Sequence, residues 1–451
     1  MSVIKPSPIE KVARPIQKFI QNEKAGGIVL GISVLIALFL ANSPWSKQYH
    51  HLFEHKLGFQ FDGRDYLNYS LHHWINDGLM AIFFFVVGLE LKREIVAGEL
   101  SNPRKAMLPI FAAIGGMIIP ALIYLMFNGK GEVQNGWGIP MATDIAFALG
   151  VLYLLGDKIP LKLKIFLTAL AIVDDLGAVL VIAFFYTSDI SMINLVVGVL
   201  FLISMYVGNK LGIRNTLFYA VLGICGVWTS FLLSGVHATI AAVLAAFTIP
   251  ADVRLGESFY VQKIQKYLGL FENADSNNQI ATLTNEQLHV LDNISESTDQ
   301  VIPPLQKLEH AMHPFVSFIV IPIFALANAG VAVLDIDIAE LFNTNVAIGV
   351  ALGLLIGKVI GVVGFTVIAV KLRIAPFPEG MSIRNLLGLG LLASIGFTMS
   401  LFVTSLAFVH EEYVTQAKIG IFAASIIGGV LGYVVLARQS KRKKSKPYNE
   451  N

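Results

Sequence analysis

Long apolar runs alternate with short polar connections along almost the whole chain. A helix needs about 20 apolar residues to cross the hydrocarbon core of a bilayer, and most of these runs reach that length. The pattern therefore predicts an all-α polytopic membrane protein. We place its twelve transmembrane helices near residues 25–41, 71–96, 105–127, 136–155, 161–186, 191–209, 215–233, 235–250, 311–334, 344–370, 383–409 and 414–437.

Composition supports this class. Apolar residues make up 55% of the chain and charged residues only 14%, against about 25% charged residues in soluble domains. The single cysteine, Cys225, excludes an internal disulfide. The first apolar run follows a basic leader of 24 residues, which resembles a signal peptide, but no small-x-small cleavage site follows it. We interpret this apolar run as an uncleaved first span.

The distribution of basic residues predicts the orientation. With twelve spans, 27 of the 33 Lys and Arg lie on the side of the two termini, and only five lie on the other side. The positive-inside rule then places both termini in the cytoplasm. The predicted organisation is a cytoplasmic N-tail (1–24), helices 1–8 (25–250), a cytoplasmic insert (251–308), helices 9–12 (309–437) and a basic cytoplasmic C-tail (438–451).

Two connections are long enough to fold. The external loop 42–70 contains an alternating run that ends in Asp62-Gly63, which is typical of a tight β-hairpin. The insert 251–308 has an amphipathic stretch around Tyr260–Phe271 and a Thr284-x-x-Gln287 capping box that opens a second helix. We interpret the insert as a solvated appendage, and a regulatory or partner-binding role is the alternative.

Two adjacent carboxylates, Asp174 and Asp175, lie near the middle of the fifth apolar run. Its fifteen Leu, Ile, Val and Phe residues favour insertion by roughly 7 kcal/mol. Each Asp costs about 2.5 to 3.5 kcal/mol, so the pair cancels most of that gain. Acids retained at this cost indicate an ion or proton pathway. A buried pair that only locks helices together is the alternative, although one acid would serve that purpose.

Two spans carry residues that interrupt a helix. Span four contains Pro140, Thr143 and Asp144, and span eleven contains glycines followed by Gly396-Phe397-Thr398. Non-helical backbone at membrane depth is tolerated only where it lines a cavity or is buried in protein. Two interrupted spans in comparable positions of two halves point to a transporter site.

Other charged residues lie within or beside the spans. Lys358 is the only cation inside an apolar run, so we expect it to pair with an acid. Glu90 and Glu94 share one helix face at the cytoplasmic end of span two, where they also fit an ordinary charged helix end. His237, Glu309, His310 and His313 form a further group, expected around one cytoplasmic mouth. Such histidines either pack structurally or titrate near physiological pH.

Five segments in order along the chain carry a further signal, and they extend over nearly the whole membrane domain. They are Ala142–Gly150, Asp174–Gly177, Ser234–Thr239, Phe324–Gly330 and Gly396–Ser400. Together they are highly specific, and they resemble the signature segments of the NhaA sodium/proton antiporters, which implies a protein of the bacterial inner membrane.

The resemblance implies an antiporter that extrudes Na⁺, and also Li⁺, in exchange for H⁺, is electrogenic and pH-regulated, and needs no cofactor. It implies an inverted-repeat transporter fold in which spans four and eleven are discontinuous. Asp174, Asp175 and Thr143 would bind the ion, and Asp144 would oppose positive helix ends. Lys358 would pair with Asp174. The remaining implied roles are a pH response (Glu90, Glu94, His237, Glu309, His310, His313) and homodimer contact through the hairpin near 57–67. The insert departs from the family pattern, which has a short loop there.

The chemistry of the two aspartates is compatible with these roles. Adjacent helical residues point about 100° apart, so Asp174 and Asp175 cannot chelate one ion face-on. We expect Asp175 to hold Na⁺ with hydroxyl, carbonyl and water oxygens, which hard cations prefer, while Asp174 exchanges a proton or its Lys358 partner. An ion and a proton that compete for one alternately exposed site produce antiport.

Three other classes are alternatives. A sodium-coupled organic-anion symporter of similar architecture is the nearest one, and it would need a pocket for an organic substrate. A channel would conduct without coupling. An intramembrane aspartyl protease, an enzyme rather than a transporter, would carry Gly-x-Gly-Asp, which the nearest match at Leu154–Asp157 lacks. No nucleic-acid partner is expected.

Overall fold

The computed structural model describes residues 23–62, 64–156, 159–187, 190–274, 282–332, 345–377 and 381–444. Nearly all of these residues are helical, because a helix satisfies its own backbone hydrogen bonds where water is absent. Most of the expected N-tail and the last seven residues of the C-tail lie outside the described residues.

The first half of the chain contains both strands and nine of the helices. They are α1 (Glu23–Ala41), α2 (Ser46–Glu54), β1 (Lys56–Phe61), β2 (Arg64–Ser70), α3 (Met80–Val96), α4 (Pro103–Phe127), a 3₁₀ helix (Glu132–Met141), α5 (Ile145–Leu154), α6 (Leu161–Phe185), α7 (Met192–Lys210), α8 (Thr216–Ser234) and α9 (Ala238–Thr248). The helical turn Leu71–His73 and the π-helical segment Trp74–Leu79 lead directly into α3.

The described part of the second half consists of helices joined by short loops. Its elements are α10 (Glu257–Asn273), α11 (Asn285–Val301), α12 (Pro304–Asn328), α13 (Asn345–Lys371), α14 (Ile383–Ala393), α15 (Phe397–Ala407) and α16 (Glu411–Lys444). Helix α12 begins seven residues before the predicted span, because Pro304 is well suited to the first helical turn. Glu309, His310 and His313 are therefore helical.

The loop between α1 and β1 differs from the prediction because it contains a helix. Helix α2 bends 112° away from α1. Its Tyr49 and Phe53, one turn apart, are buried, and the Tyr49 hydroxyl donates to Leu326 O at 2.5 Å. Apolar residues at i and i+4 anchor this short helix.

The predicted hairpin and capping box are both confirmed. Strands β1 and β2 pair antiparallel, with Phe61 opposite Arg64, and Asp62 has the positive φ of 51° that suits a tight hairpin turn. In α11, Thr284 accepts from Gln287 N while the Gln287 side chain accepts from Thr284 N. The predicted amphipathic stretch is α10.

Within the described residues, eight helices are long and apolar enough to cross a membrane, and each of two bent pairs adds one more. Helix α6 is the most enclosed of the eight, with 61% of its apolar stretch buried, against 17% for α7. Beside α6, helices α4 and α13 pack closely against each other. The two backbones are so close that a Cβ added at Gly361 would lie 2.0 Å from Gly115 O. This arrangement brings α6, α4 and α13 together around the middle of α6.

Candidate functional site

The two adjacent aspartates lie inside the protein. Asp174 and Asp175 are each 1% exposed on α6. Charges cost most where the surroundings are apolar and dry, so each carboxylate needs a partner there.

The partner of Asp174 is Lys358 on α13. Its Nζ lies 2.6 Å from Asp174 Oδ2, and it also donates to Met141 O at the end of the 3₁₀ helix. Lys358 itself is 1% exposed. One cation thus neutralises a carboxylate and satisfies a carbonyl at the negative end of a helix.

Residues 142–144, which are not helical, contact residues 394–396, which separate α14 from α15. Asp144 N donates to Ile395 O at 2.6 Å, and Thr143 Oγ1 donates to Ala393 O at 2.9 Å. Helices α14 and α15 are bent by 46° at their junction. The backbone groups freed at each interruption are therefore satisfied by the other interruption.

Asp144 compensates two helix N-termini at once. Its Oδ1 accepts from Phe147 N of α5 at 3.0 Å. Its Oδ2 accepts from Thr398 N at 3.0 Å and from Thr398 Oγ1 at 2.5 Å, both on α15. A buried carboxylate at two positive helix ends is electrostatically favourable. Thr398 was not among the predicted site residues, although it lies in the glycine-interrupted segment of span eleven.

Each aspartate of the pair has one carboxylate oxygen that lacks a hydrogen-bond donor. Within the described part of the chain, no hydrogen-bond donor reaches Oδ1 of Asp174 or Oδ1 of Asp175, and both atoms are buried. Thr143 lies close to the Asp174 carboxylate, while its hydroxyl donates to Ala393 O. The described residues contain no group of three or more His, Cys, Asp or Glu arranged to hold a metal ion. Carboxylate, hydroxyl and carbonyl oxygens are the donors that hard cations prefer.

A second charged group joins the end of α3 to α12. Arg93 Nη2 lies 3.1 Å from Glu94 Oε1, and Arg93 Nε lies 3.4 Å from Glu309 Oε1. Glu90 is half-buried and near the same three charges. His310 and His313 are exposed on α12. The structure thus brings five of the six predicted pH-response residues to one end of the molecule.

A cavity of about 640 Å³ lies at this end, where α3 ends and α4 and α6 begin. Its Thr168 lies on α6 seven residues before Asp175, which is two turns, or about 10 Å, along the same helix face. The cavity therefore points along α6 toward the aspartates. Its polar lining residues are Glu94, Glu99, Ser101, Asn102, Lys105, Tyr153, Lys164 and Thr168.

His237 does not belong to this group, and the predicted grouping is wrong for this residue. Its Nε2 lies 2.9 Å from Tyr186 O, directly after the last residue of α6. The cavity touches Leu161, the first residue of α6, and a helix of this length separates its ends by about 37 Å. The predicted group thus combined His237 with residues from the opposite end of the protein.

Known proteins resemble this chain over nearly its whole length. The sequence model of the Na⁺/H⁺ antiporter 1 family matches residues 17–436. The Na⁺/H⁺ antiporter NhaA 2 of Syntrophotalea carbinolica is 47% identical over 443 residues, covering 97% of this chain and 99% of that protein. The antiporter NhaA of Oleidesulfovibrio alaskensis is 47% identical over 432 residues, covering 96% and 95%.

A similarity to a solved structure is much weaker. The sodium/proton antiporter MjNhaP1 of Methanocaldococcus jannaschii aligns with a TM-score of 0.43 and 14% identity, covering 94% of this chain and 93% of that one.

Proposed function

Because this chain belongs to the Na⁺/H⁺ antiporter 1 family, we propose that it extrudes Na⁺, and also Li⁺, from the cytoplasm in exchange for external H⁺. Like its family, it is a multi-pass membrane transporter. The observation that carries the residue assignment is the buried pair Asp174 and Asp175, each with one carboxylate oxygen that no described donor reaches.

Competition between ions explains the exchange. Asp175 binds Na⁺ through its carboxylate, with Thr143 Oγ1 and backbone carbonyls as further oxygen donors, or it binds a proton. Asp174 alternates between Lys358 and the transported ion. Because a carboxylate that holds a proton cannot coordinate Na⁺ at the same time, loading with one ion unloads the other. In the proton-loaded state both Asp174 and Asp175 carry a proton, and binding of one Na⁺ releases both protons. Two H⁺ therefore exchange for one Na⁺, which makes the exchange electrogenic, and Asp174 pairs with Lys358 between these two states.

We propose that twelve helices cross the membrane. The ten spans counted with the bent pairs omit two continuous helical segments. One is 71–96, which carries Glu90, Lys92, Arg93 and Glu94 near its end, and the other is the short apolar α9. Lys92 Nζ donates to Phe247 O at 2.7 Å and so joins the ends of these two segments. The two segments also pack against each other along their lengths.

Spans four and eleven are the discontinuous helices of two inverted repeats in this proposal. Spans three to five correspond to α4 through α6, and spans ten to twelve correspond to α13 through α16. The mutual contacts of residues 142–144 and 394–396 support it. The placement of Lys358 and Asp144 at helix ends of opposite polarity supports it as well.

We propose that the protein lies in the bacterial inner membrane with both termini in the cytoplasm, which the distribution of basic residues supports. The cavity beside Glu94 then opens to the cytoplasm, and His237 lies on the external side. The exposed edge of the β-hairpin near 57–67 offers unpaired backbone groups, and we assign the homodimer contact to it.

The pH response belongs to the group around Arg93. Glu309 and Glu94 share this one guanidinium, and His310 and His313 flank it on α12. Protonation of any member changes the local potential at the cytoplasmic entrance, and so the local concentrations of Na⁺ and H⁺.

The test uses purified protein in sealed vesicles, with a pH-sensitive dye inside and no organic solute present. Sodium addition should move protons in wild type, and Asp174→Asn and Asp175→Asn should each abolish this movement while retaining a wild-type elution profile. Asp299→Asn, an exposed acid in the insert, is the matched control. Retained exchange in Asp175→Asn would end the assignment of the ion site, and a requirement for an organic anion would favour a symporter.

Electrogenicity is tested in the same vesicles. Clamping the membrane potential with K⁺ and valinomycin should accelerate sodium-driven proton movement. An unchanged rate would show that the exchange is electroneutral.

A further inference from the structure

The insert folds as a pair of helices whose surfaces differ in charge. Helix α10 packs on α11, and Tyr260 Oη lies 3.0 Å from Thr298 Oγ1. Helical spacing places Ile264, Tyr267 and Phe271 on the same face as Tyr260, and all three are half-buried. No residue of α10 is fully buried. Two flanks of α10 therefore remain open on either side of the contact with α11.

One flank of α10 combines apolar and basic side chains. Phe259, Lys263, Lys266 and Leu270 are spaced i, i+4, i+7 and i+11, which places them within an arc of about 60° on a helix. Phe259 is 59% exposed and Leu270 is 46% exposed. We name these four residues the basic flank.

The other surfaces of the insert are acidic. The opposite flank of α10 carries Val261 and Leu268, which are about as exposed as the basic flank, but here the neighbouring charges are Glu257 and Glu272. The outer face of α11 carries Asp292, Glu296 and Asp299. Charge alone therefore distinguishes two apolar flanks of similar exposure.

We propose that the basic flank docks on the anionic cytoplasmic surface of the bilayer. Phe259 and Leu270 enter the boundary between headgroups and acyl chains, while Lys263 and Lys266 lie along it and pair with lipid phosphates. The opposite flank of α10, with Glu257 and Glu272, and the outer face of α11 turn toward the cytoplasm, because an anionic surface repels them. The choice of leaflet rests on the cytoplasmic placement proposed above.

The insert is tethered close enough to reach that surface. Leu305 N donates to Pro250 O at 3.1 Å, so the insert leaves and re-enters the membrane domain at one point. Arg214 Nη2 donates to Asp252 O at 2.8 Å and ties the exit to the loop between α7 and α8. Helix α10 begins nine residues after α9 ends, so an extended linker holds its first residue within about 30 Å of α9.

A tether of this kind makes weak membrane attraction sufficient. Each lysine near an anionic surface favours the docked state roughly fivefold, and the apolar pair adds to this. Because docking is intramolecular, bringing the helix to the bilayer costs little entropy.

The test compares two leucines on the same helix. In a Cys225→Ser background, Leu270→Cys and Leu268→Cys are each spin-labelled in the full-length protein, which is reconstituted into vesicles of phosphatidylcholine with phosphatidylglycerol. Collision rates with oxygen, which concentrates in lipid, and with a water-soluble nickel complex report the surroundings of each label. We expect the label at 270 to favour oxygen severalfold and the label at 268 to favour nickel.

Anionic charge should control the result. The preference at 270 should shift toward nickel in pure phosphatidylcholine, and also when Lys263→Glu and Lys266→Glu are added. Nickel accessibility at both positions in anionic vesicles would overturn the proposal, as would lipid exposure at 268 rather than 270. Spin–spin broadening at 270 would identify a second copy of the chain as the occupant and would overturn it too. A lipid preference that ignores charge would refute the role of the lysines.

Discussion

Removing the Lys358 side chain should destabilise the protein strongly, because it leaves a buried carboxylate without its cation. Asp174 and Lys358 are each 1% exposed and 2.6 Å apart. Breaking a buried pair by deleting one partner costs about 3–5 kcal/mol, and Met141 O loses a donor as well. We expect Lys358→Ala to lower the midpoint of thermal unfolding in detergent by about 3 to 5 °C, because the entropy of unfolding of a chain of 451 residues is about 1 kcal/mol/K.

A double variant separates charge from packing. Asp174→Asn in the Lys358→Ala background removes the uncompensated charge, so it should recover much of the lost stability. Lys358→Arg keeps the charge and should keep both stability and much of the transport. Lys371→Ala, at the exposed end of the same helix, should change stability by less than about 0.5 kcal/mol.

Two results would refute this reasoning. One is a Lys358→Ala variant that unfolds at the wild-type temperature and transports normally. The other is a double variant that remains as unstable as Lys358→Ala, which would show that lost packing rather than the unpaired carboxylate caused the effect.

Three other predictions follow from the site and its supports. Glu309→Gln should move the pH midpoint of exchange toward acid values and His313→Ala toward alkaline values, each by roughly half a pH unit, because the two substitutions change the local potential in opposite senses. Sodium-induced dye signals recorded across about pH 6 to 9 measure this midpoint. Curves that overlay the wild-type curve would leave competition at the aspartates as the full explanation. Gly361→Ala should lower the stability of the protein by about 2 kcal/mol and reduce transport, because the added methyl group separates α4 from α13. The control is Gly364→Ala, whose Cβ meets nothing within 4 Å and which should be neutral or slightly stabilising in thermal melts. Equal losses in both variants would contradict the close contact. Asp144→Ala should lower stability by about 3 kcal/mol in the same melts, since three donors lose their acceptor, and a wild-type melting temperature would argue against its role at the helix ends.

Local patterns along the chain were sufficient for most of the elements. Apolar runs predicted most of the helix ends to within a few residues, because a backbone in hydrocarbon must form helices wherever the run is long enough. The Asp62-Gly63 turn and the Thr284–Gln287 box predicted a hairpin and a helix start, because both depend only on residues close together in the sequence. The cost of inserting the aspartate pair was enough to single it out as a candidate site.

Contacts between distant segments were decided only by the tertiary structure. Lys358 and Asp174 are 184 residues apart, and Thr398 and Asp144 are 254 residues apart, so no local pattern specifies which groups meet. Helix α2 was not predicted because its burial depends on contacts with α12 that lie far away in sequence. The grouping of His237 was wrong for a different reason: the predicted topology already places the connection between spans seven and eight, and with it His237, on the side opposite the termini, so the sequence alone could have corrected it.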